Sequence, residues 1–207
     1  MRLYLASTSP ARLALLRAAG IEPVVVPSSV DEPAAVAVAE AESGPLTADA
    51  MVQLLARAKA EAVLSPEMDG FVLGGDSAFV LDGVTYGKPH EPDVARARWL
   101  AQRGRTGHLH SGHWLVDHRG GSVRAAVGGV SVAAVTFAAD ITDLEIDAYV
   151  ATGEPLEVAG AFTIDGRAAG FISHVDGDPS TVIGMSVPLL RRLVRELGGD
   201  WPSLWNL

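Results

Sequence analysis

Residues 71–81 read Phe-Val-Leu-Gly-Gly-Asp-Ser-Ala-Phe-Val-Leu, an apolar run broken in its middle by two glycines and a carboxylate and closed by Asp82-Gly83. Phe71-Val72-Leu73 and Phe79-Val80-Leu81 have the β-branched and aromatic character of one buried strand. Asp-Gly after it is a strong hairpin signal, because both residues accept the positive φ angles of a type I′ turn. A hairpin here argues against a sheet made only of parallel strands. The interruption has chemical weight as well. Two glycines permit close approach of another group, and a carboxylate in a buried strand needs a cation, a metal or a network of donors beside it. Its alternative reading is local, with Asp76 satisfying the amides that follow it.

Segments on either side alternate between helix and strand. Residues 2–6 predict a first strand; Ser9 then predicts an N-cap, Pro10 suits the first turn, and Leu13, Leu15 and Leu16 form an apolar side that stops at Gly20. Val24-Val25-Val26 predicts a second strand, and residues 33–45 a short helix or an ordered loop. Thr47 caps a helix reaching about Leu64, with its apolar face expected on Met51, Leu54, Leu55, Ala58 and Ala62. Beyond the hairpin, residues 91–103 predict a helix, and residues 109–116 and 122–137 predict long strands about a turn at Arg119-Gly120-Gly121. Thr142-x-x-Glu145 is a capping-box pattern ahead of Ile146, Tyr149 and Val150, with a stop at Gly153. Residues 160–164 and 170–175 predict a strand pair around Gly166, and Pro188 opens a last helix carrying Leu189, Leu190, Leu193, Val194 and Leu197. The tail tryptophans, Trp201 and Trp205, are expected to pack on the body or on a partner. The fold class is α/β, with a mixed twisted sheet and flanking helices.

Composition narrows the function. A chain of 207 residues suits one domain, or one core with two lobes. With 48% hydrophobic and 20% charged residues it packs a core instead of remaining disordered. The absence of cysteine removes disulfides, thiolate chemistry and cysteine-ligated metal sites. A net charge of −9 weighs against a nucleic-acid surface, although a few convergent cations still allow a small anionic ligand. The first residues lack the long apolar core of a secretory signal, and residues 126–139 stop short of a membrane span, so the expectation is a cytoplasmic protein with no membrane partner.

Several residues carry candidate chemistry. Ser7-Thr8-Ser9-Pro10-Ala11-Arg12 joins a strand to a helix start, where free backbone N–H groups, hydroxyls and Arg12 suit a phosphate. The same pattern also describes an ordinary cap and a surface arginine. Lys59 and Lys88 are the only lysines, against 14 arginines, with Lys59 on the periodic helix and Lys88 aimed by its neighbours Gly87 and Pro89. Asp76 offers a general base or a metal carboxylate, and Glu32 a second carboxylate; Glu154 and Asp165 are further acids near glycine turns. This inventory suits Mg2+, which takes one or two carboxylates and completes its shell with water and phosphate oxygens. His108, His110 and His113 cluster, but strand alternation leaves only His108 and His110 on one face, too few for a zinc site. The residues alone point to a phosphorylated ligand and a metal, and to no particular reaction.

The order of the motifs is more specific. Leu5-Ala6-Ser7-Thr8-Ser9-Pro10-Ala11-Arg12, Val30-Asp31-Glu32, Ala58-Lys59-Ala60, Gly74-Gly75-Asp76-Ser77, Gly87-Lys88-Pro89, Gly104-Arg105-Thr106, Gly153-Glu154-Pro155, Ala159-Gly160-Ala161-Phe162 and Val182-Ile183-Gly184 together resemble the Maf family of nucleotide pyrophosphatases, and its actinobacterial members in particular. The resemblance implies a single Maf-like domain over residues 1–207, with two lobes around a cleft and a fold related to inosine-triphosphate pyrophosphatase. It implies hydrolysis of the α–β anhydride of nucleoside triphosphates to a monophosphate and pyrophosphate, with Mg2+ or Mn2+, in a homodimer. It places Asp76 as catalytic proton acceptor, Ser7, Ser9 and Arg12 at the phosphate-binding start, Lys59 and Lys88 as basic site residues and Glu32 as an acidic one. With the residue inventory, Asp165 is expected on substrate, and Glu32 with Asp76 on metal. The other function class is a nucleotide-binding regulator of cell division with little catalysis. Departures from the family pattern are Ala11 for arginine, Gly107 for histidine, Phe162 for tyrosine, Asp165 for glutamine and Thr181 for asparagine. An acid in place of an amide at 165 removes donors and adds charge, which bears on base preference more than on reaction class.

Overall fold

A computed structural model describes all 207 residues and divides them into two compact units. The strands belong to one mixed sheet of order β2-β1-β3-β5-β6-β7, with β4 paired to β3. No helix is long and apolar enough to cross a membrane.

The first unit comprises Met1–Asp76, Ser111–Ser131 and Gly184–Leu207. Its β1 (Leu3–Ala6) pairs in parallel with the two-residue β2 (Val24–Val25) and with β3 (Phe71–Leu81), in a register that sets Leu3 opposite Phe71 and Ala6 opposite Gly74. Helix α1 (Pro10–Ala18) starts on Ser9, whose hydroxyl accepts the Arg12 N–H, and Gly20 at φ +81 ends it. The residues α1 buries are Arg12 and Leu16, one turn apart. Segment 33–45 resolves as a helix, α2 (Glu32–Ser43), capped by Asp31. Leu3, Leu5, Leu16, Phe71, Leu73 and Leu115 form a core with Leu190 and Leu193 of α7 (Val187–Glu196). The tail packs back on this body: Leu204 is buried, and Asn206 bonds the backbone N–H and carbonyl of Glu22.

Helix α3 (Ala48–Ala62) corrects the expected face. It buries Val52, Leu55, Ala56, Lys59 and Ala60, whereas Met51, Leu54 and Ala58 are half-buried and Ala62 is exposed. Two glycines set this rotation. A Cβ on Gly74 of β3 would lie 2.0 Å from the Ala56 carbonyl oxygen, and one on Gly112 of β5 (Thr106–Asp117) 2.3 Å from that of Val52. The helix backbone therefore rests on bare strand, and its small residues face inward despite contributing little apolar bulk.

The second unit comprises Ser77–His110 and Val132–Ile183. The end of β3 turns through Asp82 (φ 52) and Gly83 (φ 77) into β4 (Val84–Tyr86), as the Asp-Gly signal predicts. Helices α4 (Pro92–Gln102) and α5 (Asp143–Ala151) pack beside β6 (Ala125–Phe137), and Thr142 with Glu145 forms the complete capping box. Trp99 meets Phe137, Tyr149 and Phe171 edge to face, with centroids 5.1–5.6 Å apart. The strand pair expected at 160–164 and 170–175 is absent. Gly160 (φ 73) and Ala161 (φ 64) turn the chain, and their carbonyls accept from Gln102 Nε2 and Trp99 Nε1 at 2.6 and 2.8 Å. Only β7 (Ile172–Asp176) is a strand there, and it pairs antiparallel with β6. Side chains of α4 thus satisfy backbone that a sequence pattern assigns to a ladder.

Candidate active site

Strand alternation sorts the site into two faces of β3. Gly74 faces α3, so Asp76 two residues on faces the same way and meets the buried Lys59. Lys59 Nζ lies 2.7 Å from Asp76 Oδ1 and 2.7 Å from Glu32 Oε1, with Glu32 in the first turn of α2. The Asp76 and Lys59 side chains are only 12% and 11% exposed, whereas Glu32 is 46% exposed. Burial pushes the Asp76 carboxyl above the ordinary carboxylate range, and Lys59 and Arg12 only partly oppose it.

Gly75 points the other way, and its missing side chain leaves room for Arg12: a Cβ there would lie 3.1 Å from Arg12 Nε. Arg12 Nε donates to the Gly184 carbonyl at 2.9 Å, and Nη1 to the Ser7 hydroxyl at 3.2 Å. Ser7 also accepts the Ser9 N–H at 3.2 Å, so the Ser-x-Ser turn and the arginine are tied together. Burial lowers the Arg12 pKa, and Asp76 and Glu32 counter that shift. A guanidinium keeps its charge at neutral pH under such a shift.

Six predicted residues, Ser7, Ser9, Arg12, Glu32, Lys59 and Asp76, therefore come together in the first unit, although they come from four separate stretches of sequence. Lys88 and Asp165 belong to the second unit, and both are exposed. The Gly87 carbonyl beside Lys88 accepts from Arg98 Nη1 at 2.5 Å, and Asp165 accepts from the Thr163 hydroxyl. Glu154 holds the same loop by accepting the Arg167 N–H at 2.8 Å. No group of three or more histidine, aspartate or glutamate side chains could by itself hold a metal ion. Glu32 and Asp76 both aim an oxygen at one point, the Lys59 ammonium, and two hard carboxylates form a donor set of the Mg2+ or Mn2+ kind.

Sequence reasoning passed over Ser111 and the Gly184 carbonyl. Ser111 Oγ donates to that carbonyl at 3.0 Å and is fully buried. The available signal is a serine between His110 and His113, within the histidine cluster of that strand.

The family pattern of the Maf-like proteins matches residues 2–197. The chain belongs to the Maf family. A nucleoside triphosphate pyrophosphatase of Leifsonia xyli is 72% identical to it, over 100% of this chain and 97% of its own length. Proteins of the same description from Nocardia farcinica and Streptomyces coelicolor are 50% and 49% identical, each over 99% of this chain and over 96% and 94% of their own lengths. A Ham1 protein of Staphylococcus aureus is a distant likeness in shape, with TM-score 0.48 and 12% identity, covering 95% of this chain and 100% of its own.

Two of the departures from the usual Maf pattern have a packing account. Gly107 sits against the ring of Phe79, where a Cβ would fall 2.2 Å from Cζ, so this chain has no room for the usual histidine. Thr181 is fully buried and donates to Asp178 Oδ2 at 3.2 Å, a structural role for that position.

Proposed function

We propose that this Maf protein hydrolyses nucleoside triphosphates to a nucleoside monophosphate and pyrophosphate. Support comes from relatives of that description spanning the full chain, and from the cluster of Asp76, Lys59, Glu32 and Arg12. The single observation that carries the reading is Asp76: a buried carboxylate in reach of two cations, with a proton affinity raised by burial. The reaction adds water across the α–β anhydride. One water proton goes to a base, the oxygen joins phosphorus, and pyrophosphate leaves. A carboxylate with a raised pKa is the stronger base for this purpose. Arg12 and Lys59 neutralise charge that builds on the phosphoryl oxygens, and in a largely dry site that effect is strong. Ser7 and Ser9 add hydroxyl and amide donors at the start of α1. Lys88 is read as a further substrate contact on the strength of its Gly-Lys-Pro motif, and Asp165 as another at the position where the family pattern has glutamine.

A divalent cation, when bound, supplies charge neutralisation on the phosphates and acidifies water. Glu32 and Asp76 are the residues that would hold it. Lys59 bonds both carboxylates at 2.7 Å and holds them in a fixed orientation. Asp76 has one proposed position and two compatible roles, as base and as metal carboxylate. The cytoplasm, where nucleoside triphosphates are abundant, is the setting this reading requires, and the family resemblance adds a homodimer that sedimentation would check.

The test is a product-resolved assay over canonical and modified nucleoside triphosphates with Mg2+ or Mn2+, an EDTA control and Asp76→Asn. Monophosphate and pyrophosphate, absent in both controls, are expected. Diphosphate plus orthophosphate would overturn the cleavage position. Nucleotide binding without turnover would favour a regulatory protein.

A further inference from the structure

Two polar side chains of β5, Ser111 and His113, are fully buried, and neither has a role in the site so far. They lie two residues apart on the strand face opposite Gly112, so they face away from α3. Both grip the segment that leads into α7. Ser111 Oγ donates to the Gly184 carbonyl at 3.0 Å, and His113 Nε2 accepts the Ser186 N–H at 2.9 Å. His113 Nδ1 lies 3.1 Å from the Ser111 carbonyl oxygen, so one neutral tautomer satisfies both contacts, with the proton on Nδ1. Ser186 in turn caps α7, accepting the Leu189 N–H at 3.1 Å.

The clamped segment bears on Arg12. The carbonyl that Ser111 holds is the one that accepts Arg12 Nε at 2.9 Å. A guanidinium is a rigid planar fork, so fixing Nε on Gly184 and Nη1 on Ser7 fixes the plane and the aim of the whole group. An arginine free to rotate would lose side-chain entropy each time it met a phosphate. Gly184 has φ +130, a conformation in which a side chain would strain the backbone, and the turn that presents its carbonyl depends on that freedom.

We propose that Ser111 and His113 are positioning residues for substrate phosphate: by holding the 184–186 segment they place the Gly184 carbonyl, and the carbonyl aims Arg12. This deepens the reading of Arg12 as a phosphate contact and rests on it. Ser111→Ala removes one donor and leaves no orphan, because the Gly184 carbonyl keeps its bond from Arg12.

The experiment uses the full chain and reads two quantities, kcat/KM for a nucleoside triphosphate and inhibition by inorganic pyrophosphate. Ser111→Ala is expected to weaken both about tenfold, the order of one hydrogen bond serving a charged group, with its Tm close to that of the unaltered chain. Ser111→Thr, which restores a hydroxyl, should recover most of the loss. The deciding measurement is a double-mutant cycle with Arg12→Lys, which lacks the Nε donor. In that background Ser111→Ala should have no further effect, and a full tenfold loss there would overturn the proposal. Unchanged kinetics in Ser111→Ala would overturn it as well. If Arg12→Lys alone leaves pyrophosphate inhibition unchanged, the phosphate role of Arg12 falls, and this proposal falls with it. Loss of stability in Ser111→Ala without a shift in pyrophosphate inhibition would reduce the pair to a structural staple.

Discussion

Asp76 concentrates the consequences of burial. Its carboxyl holds its proton above the ordinary carboxylate range because desolvation outweighs the attraction of Lys59 and Arg12. A base must be unprotonated, so kcat/KM should rise with pH through that raised value and level off above it. Lys59→Met removes an attraction that lowers the pKa, so the acid limb of the profile should move to higher pH, as initial rates between about pH 4 and pH 9 would reveal. Asp76→Asn should reduce turnover by about 10² or more. Its stability should change in the opposite sense. A carboxyl with a raised folded pKa costs stability above that pKa, and the cost fades as pH falls through it toward the unfolded value near 3.8. Thermal unfolding of Asp76→Asn should therefore give a higher Tm than the unaltered chain near neutral pH, with the gap closing toward about pH 4.

The packing of α3 on β3 and β5 is where local sequence and function join. Gly74 and Gly112 let the helix backbone approach, and that approach turns Lys59 inward to Asp76 and Glu32. Gly74→Ala puts a methyl 2.0 Å from the Ala56 carbonyl oxygen. Backbone cannot yield as a flexible side chain does, so the expected cost is about 3 kcal/mol, read by denaturant unfolding, with turnover falling as Lys59 is displaced. The apolar count misplaced this face by favouring Met51 and Leu54 over Ala56 and Ala60. Close helix–strand packing selects small residues, and the glycines opposite them, not side-chain hydrophobicity, carry the information. The strand expected at residues 160–164 failed for a related reason. Its carbonyls are satisfied by Trp99 and Gln102, residues about 60 positions away, which no local pattern reports.

At the scale of the molecule, the termini close the first unit. The amino-terminal ammonium donates to the Ser203 carbonyl at 2.6 Å, and the Asn206 side chain brackets the Glu22 backbone at 2.7 and 3.0 Å. Removing residues 199–207 takes the buried Leu204 from the core together with these bonds. A loss of at least about 3 kcal/mol is expected, or roughly 6–12 °C in Tm for a chain of this size. Calorimetry would check it, and an unchanged Tm would show the tail to be dispensable. Much of this fold is written in local chemistry: the caps Ser9, Thr47 and Thr142, the Asp82-Gly83 hairpin and the alternating apolar runs each act within a few residues, so their elements are legible from the chain alone. The sequence also offers Asp76 as a charge inside an apolar run, Arg12 beside the Ser-x-Ser-Pro helix start and Lys59 as one of only two lysines. What only the tertiary structure decided is which charge meets which. Lys59 between two carboxylates, Arg12 laid over Gly75, and Ser111 reaching Gly184 across 73 positions depend on strand register and helix rotation. Those are set by packing between segments distant in the chain.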